Sequence, residues 1–327
     1  MSSSRKQILQ WAKQGYLNEA SLPEALRRAD AEPSSTNWRQ FIDRLMLCFG
    51  ALFMAAGVVF FFAYNWQEMG RYAKFGLVEF CLVVAVAICW KLGLDRLSGK
   101  VALFVSASLI GTLLALVGQT YQTGADPWQL FTIWAAMIIP WVVIGRFGAL
   151  LLFWVGLVNL SMLLYFQTFP RFLGFAGVLF GSETMLWTFF LFNTLILCLW
   201  EFAAQRQVAW LCERWPLRVM AVASGSLVTV LAIWSILDFR DFGIAGPICY
   251  LAWLIVTYLV YRRRIRDLFV LAGGVLSLII VVTTWLGRWM LFDNGSEGSF
   301  LLIGLVVIGL SAVGGMWLKT IALEETS

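Results

Sequence analysis

Apolar blocks close to twenty residues long recur along this chain, and they constrain its fold more than any other feature of the sequence. A hydrocarbon core about 30 Å thick is crossed by about 20 helical residues. Inside it, every backbone N–H and C=O needs an internal partner. Ten blocks meet that length: 45–65, 74–94, 101–118, 129–146, 148–167, 185–203, 217–237, 245–261, 268–287 and 299–318. A membrane β-barrel would show alternating segments of about ten residues instead. The expected fold is all-α, a polytopic transmembrane helix bundle of about ten spans. Composition agrees, because 61% of the 327 residues are hydrophobic and 13% are charged, against about 25% charged in soluble domains.

Three regions follow: a polar module over 1–44, the bundle over 45–318 and a short tail over 319–327. In the polar module, Ile8, Leu9, Trp11 and Ala12 form a helical stripe with Gly15 as its stop. Ser21, Pro23 and Glu24 then spell a capping box at the start of a second helix. A helical hairpin is expected, joined to the first span by the linker EPSSTN. No cleaved leader is expected, since the first apolar block begins only near Leu45. The stretch PRFLGFAGVLFGSE, between the fifth and sixth blocks, is short, apolar and glycine-rich, and reads as a re-entrant or interfacial piece.

Positive charge sets the orientation of such a bundle, with Lys and Arg retained on the cytoplasmic side. Placing the N-terminus inside puts 19 of the 24 Lys and Arg residues on the inner side and 5 on the outer. Both termini are therefore expected in the cytoplasm. Tryptophans at block ends, such as Trp66, Trp128 and Trp285 outside and Trp90, Trp141 and Trp200 inside, form the aromatic belt of headgroup depth. The net charge of +5 is thus a matter of topology, with attraction to anionic membrane lipids strongest at YRRRIR, residues 261–266. Nucleic acid is not an expected partner, because Arg27 and Arg28 are balanced by Glu19, Glu24, Asp30 and Glu32.

The chain has no histidine, which removes imidazole bases, His-containing triads and His metal ligands. Its six cysteines (Cys48, Cys81, Cys89, Cys198, Cys212 and Cys249) form no CxxC pair and read as small packing residues. There is no phosphate loop and no paired-carboxylate arrangement. The expectation is a protein that is not an enzyme and has no cofactor, catalytic residue or metal site.

Two polar stretches interrupt the apolar frame at the predicted outer face. One is AYNWQEMGRYAK, with Asn65 and Gln67. The other is GQTYQTGAD, with Gln119, Tyr121, Gln122 and Asp126. Gly57 precedes Asn65 by eight residues and Gly111 precedes Gln119 by eight, so the first two hairpins read as a degenerate parallel repeat. Glu79 is the one carboxylate well inside a span, and intramembrane carboxylates usually face a cavity or a partner. Asn159, Asn193 and Glu201 read as interhelical hydrogen-bond positions. Along the third block Ala107, Gly111, Ala115 and Gly118 form a small-residue packing stripe, which allows close backbone approach and points to a central helix. The candidate ligand- or partner-binding set is then Asn65, Gln67, Glu79, Gln119, Tyr121, Gln122 and Asp126.

The stretches LNEASLPEALRRA, GALFMAAGVVFFFAYNWQEMGRYAKFGLVE and GQTYQTGADPWQLFTIWAAMIIPW resemble the bacterial multi-pass membrane proteins catalogued as domain of unknown function 2157, over roughly residues 5–145. The resemblance implies a bacterial inner-membrane protein, and a second membrane protein with a Gly-Asp-Tyr motif as partner. It carries over no catalytic residues. Two functions are expected from the whole: a non-enzymatic membrane-complex component with an outer polar rim for a partner or small ligand, or a small-solute transporter or channel using the same pocket and Glu79.

Overall fold

A computed structural model describes residues 68–169, 184–238, 244–293 and 299–324 without a break, together with scattered positions between 8 and 66. Two units, Met1–Lys74 and Phe75–Ser327, are each compact. Most of the predicted first span, 45–65, and all of the predicted re-entrant stretch, 170–183, lie outside the described residues.

In the first unit, the N–H of Gly15 donates to Ala12 C=O at 3.1 Å and that of Tyr16 to Trp11 C=O at 3.0 Å. Gly15 has φ +79°. This is the Schellman pattern that ends a helix at a left-handed residue. A new turn opens where Ala25 N–H donates to Ser21 C=O.

Among its described residues, the regular elements of the second unit are helices, and the first of them begins in the last four residues of the first unit. They are α1 (Arg71–Leu92), α2 (Leu97–Tyr121), α3 (Pro127–Met137), α4 (Ile139–Gly145), α5 (Gly148–Thr168), α6 (Thr184–Gln205), α7 (Arg214–Leu237), α8 (Ala245–Leu259), α9 (Leu268–Gly287) and α10 (Ser299–Glu324). α8 continues as a π-helical turn over Val260–Arg264, and α9 over Arg288–Asp293. Nine helical segments among the described residues are long and apolar enough to cross a membrane, with α3 and α4 together making one of them. The break at Ile138 precedes Pro140, which has no N–H to give the helix. Trp154 on α5 donates its indole N–H to the Ala135 carbonyl at 3.0 Å, satisfying a backbone acceptor beside the break.

Packing runs α2 to α3, α3 to α5, and α6 to α7; α7 then meets α8 and α9, and α9 meets α10. The centre is α7, not α2 as the small-residue stripe suggested. Half of the α7 membrane window is buried, against 39% for α2 and 6% for α10. The reason lies in the α7 sequence, where the buried residues Met220, Ser224, Gly225, Val228 and Thr229 spread around about half of the helix circumference. A helix with small and hydroxyl residues on several faces accepts neighbours on several sides. Large apolar side chains such as Leu301, Leu305 and Ile308 on α10 point away from the bundle, as lipid-facing positions should.

Candidate functional site

The GQTYQTGAD segment forms the end of α2 and the turn into α3. Gln122 caps α2 in the left-handed region at φ +45°, and Gly124 follows at φ +65°. Asp126 is extended and its C=O accepts from Gln129 N–H at 3.0 Å, but its carboxylate makes no capping bond to α3. Gln119, Tyr121 and Gln122 are exposed and Asp126 is half-buried. The Tyr121 ring lies 6.2 Å from that of Phe75. None of the amide or carboxylate groups of Gln119, Gln122 and Asp126 has a hydrogen-bond partner among the described residues.

Trp128 begins the helix just beyond this turn. Its indole N–H is buried without a partner among the described residues. It lines a cleft of about 510 Å³ with Thr132, Ser161, Met162 and Tyr165. Thr132 and Ser161 share a 2.6 Å hydroxyl bond there, and Ser161 also donates to Trp128 C=O at 3.1 Å. One donor in this cleft is therefore left over.

Asn65 and Gln67 lie outside the described residues. Glu79 is exposed on α1 and has no ion-pair partner among the described residues. In the first unit Arg71 donates to Tyr72 Oη at 3.2 Å, and the Lys74 ammonium sits 5.4 Å from the Trp66 ring centroid. The stripe on α2 faces α3: Ala107 is fully enclosed and Gly111 is buried, while Ala115 and Gly118 are half-buried. What it admits is an indole ring instead of a backbone. Trp134 lies flat over Gly111, where a Cβ would collide with its ring carbons, and donates to Ala107 C=O at 2.8 Å.

Most deeper polar groups are matched with one another, the buried Thr283 hydroxyl on α9 being an exception. Asn193 donates to Asn159 Oδ1 at 2.7 Å and Asn159 returns a bond at 3.2 Å, joining α5 to α6. Thr194, Ser224 and Trp253 link α6, α7 and α8. Thr229, Ser277 and Tyr250 link α7, α9 and α8.

A charged cluster escaped the reading of the sequence. Arg214 on α7 bonds Glu201 through Nη1 at 3.2 Å and Asp267 through Nη2 at 3.2 Å. Arg218, one turn on, bonds Asp267 at 3.1 Å, and Tyr261 donates to Glu201 Oε1 at 2.8 Å. Asp267 also caps α9 by accepting from Phe269 N–H at 3.1 Å. The π-helical turn brings Tyr261 inward while Arg263 and Arg264 stay exposed. Burial pushes the Asp267 carboxyl up, but the hydrogen bond and charge of Arg218, with those of Arg214, outweigh it and hold the group below its ordinary value. Two guanidinium and two carboxylate groups balance, so the cluster is a neutral tie between α6, α7 and the α8–α9 turn. Its signal in the sequence is the spacing of Arg214 and Arg218 by four on one helical face, with Asp267 directly before an apolar block.

Residues 9–151 match the model of a family described as predicted membrane protein, DUF2157. That range contains the polar turn, Glu79 and the Trp128 cleft wall up to α5, but not the charged cluster. No curated protein and no solved structure matches the chain.

Proposed function

We propose that this chain, a multi-pass membrane protein whose residues 9–151 carry the DUF2157 sequence, is a non-enzymatic component of a bacterial inner-membrane complex. It binds a partner or small ligand through the turn at Gln119, Tyr121, Gln122 and Asp126. Both termini face the cytoplasm and the turn faces outward. The observation that carries this reading is a contrast in satisfaction: apart from the Thr283 hydroxyl on α9, the interior polar groups away from the turn pair with each other, whereas the turn and the Trp128 indole offer donors and acceptors that no described residue takes up. Unused hydrogen-bonding groups gathered at one place are what a binding surface presents. A second membrane protein suits such a rim, since polar contacts hold helices and loops together where apolar contact with lipid is equally good.

The test is purification from native membranes in mild detergent, with mass spectrometry for proteins, lipids and metabolites. Wild type is compared with a Gln119→Ala/Gln122→Ala/Asp126→Ala variant matched for expression and melting temperature. A protein or metabolite lost only from the variant supports the proposal; identical companions in both overturn it.

One observation favours the transport reading as the alternative, namely an exposed carboxylate, Glu79, within a span and without a partner among the described residues. Solute flux in proteoliposomes that disappears in Glu79→Gln would establish that reading in place of the first.

A further inference from the structure

At the end of the second unit opposite the polar turn, a cleft of about 590 Å³ opens between the α1–α2 turn, the α4–α5 turn and the short helix at Ala209–Leu211. Asp95, Lys100, Val143, Ile144, Arg146 and Trp210 line it. The Lys100 ammonium lies 5.7 Å from the ring centroid of Phe147, the residue that follows Arg146, and both basic side chains line the cleft. Gly145 holds the two turns together, since its backbone abuts Leu103 on α2 so closely that a Cβ would come within 2.5 Å of a Leu103 methyl. Arg146 itself is held at φ +43°, at the end of α4. Neither Lys100 nor Arg146 has an ion-pair partner among the described residues, in contrast to Arg214 and Arg218. Asp95, the one carboxylate in the cleft, is exposed and unpaired on the same terms.

Two unneutralised cations face the cleft, and Val143 and Ile144 flank it at 63% and 61% exposure. Trp210, half-buried, supplies the amphipathic ring typical of headgroup depth. We propose that this cleft binds an anionic phosphodiester, the headgroup of a membrane phospholipid, with its phosphate between Lys100 and Arg146 and its acyl chains along Val143 and Ile144. A guanidinium and an ammonium together suit a phosphate, the first as a planar fork and the second as a point charge. The flanking apolar side chains favour a lipid over free phosphate, and basic clefts between helix ends are sites where anionic lipids collect.

The experiment is native mass spectrometry of the full chain, released from detergent in the presence of phosphatidylglycerol, phosphatidylcholine or inorganic phosphate. Phosphatidylglycerol should stay bound to wild type, and Lys100→Gln/Arg146→Gln should weaken it about twenty-five-fold, at roughly fivefold per basic residue. Asp95→Asn, which removes the repelling carboxylate, should strengthen it. This gain distinguishes a local site from a folding defect. Arg262→Gln/Arg263→Gln/Arg264→Gln should leave that retention unchanged. Equal retention by wild type and Lys100→Gln/Arg146→Gln, or loss only in the 262–264 variant, would overturn the proposal. So would equal retention of phosphatidylcholine, or displacement by inorganic phosphate at millimolar concentration, which would assign the cleft to free phosphate.

Discussion

Gly111 shows how one missing side chain can position a helix. Trp134 covers it and reaches past it to the Ala107 carbonyl, so the indole fills the space that a methyl group would need. Gly111→Ala should lower stability by about 1–3 kcal/mol, the usual cost of overpacking. The loss should appear as a lower melting temperature in detergent. Asp267 acts at the same scale through charge. Its carboxyl is held below its ordinary value, so the folded state favours the ionised form. The stability it contributes is complete above about pH 4, the unfolded carboxylate range, and is lost as pH falls toward the lower folded value. Melting temperatures of wild type and Asp267→Asn should therefore differ by a constant amount at neutral pH and converge only below about pH 4. A gap that closes between pH 5 and 7 would contradict this assignment.

Between elements, hydrogen bonds decide which helices stay together, because apolar surface gains nothing by leaving lipid for protein. The Asn159–Asn193 pair is the clearest case, as each amide is both donor and acceptor to the other. Asn159→Leu alone strands the nearly enclosed Asn193 Oδ1, while Asn193 Nδ2 keeps its bond to Phe189 C=O, and should cost about 1–2 kcal/mol. The double variant Asn159→Leu/Asn193→Leu should recover most of that loss in a steric-trap or thermal unfolding cycle. Much at this scale was legible in the sequence. Block length alone placed the described spans, and the glycine at position 15 ends its helix through a left-handed φ. The break at Ile138 was not read, although Pro140 was visible, because prolines in membrane helices are tolerated where a neighbour supplies donors. That neighbour, Trp154, is known only once α5 is docked. Likewise Glu201, Tyr261 and Asp267 become a cluster only through the packing of three helices, and no local period links them. The position of α7 has a similar cause: the small residues of α2 recur at one regular spacing, whereas those of α7 are spread around its circumference and form no single stripe. Of the candidate site, the polar turn was legible by its contrast with the greasy frame, whereas the unpartnered Trp128 indole could be seen only in three dimensions.

Across the whole molecule, charge and polarity separate by position along the helices. Arg206, Arg214, Arg218 and the run at 262–266 sit at one set of helix ends, and the polar turn at another. The positive-inside rule converts this into an orientation with a direct check. Cys212 is exposed in the connection between α6 and α7. In a variant with the other cysteines replaced by serine, an impermeant maleimide should label Cys212 in inverted vesicles but not in spheroplasts. A Thr123→Cys variant lacking Cys212 should label the other way round, and labelling of both from the same side would refute the assignment. The indole bonds that join one membrane-length helix to another carry a consequence for biosynthesis. Trp134 reaches to Ala107, Trp141 to Ser106, Trp154 to Ala135 and Trp253 to Ser224, so each donor emerges from the ribosome after its acceptor. Every one of these spans enters a bilayer in which its docking point is already installed, and the bundle can be laid down in the order in which it is translated.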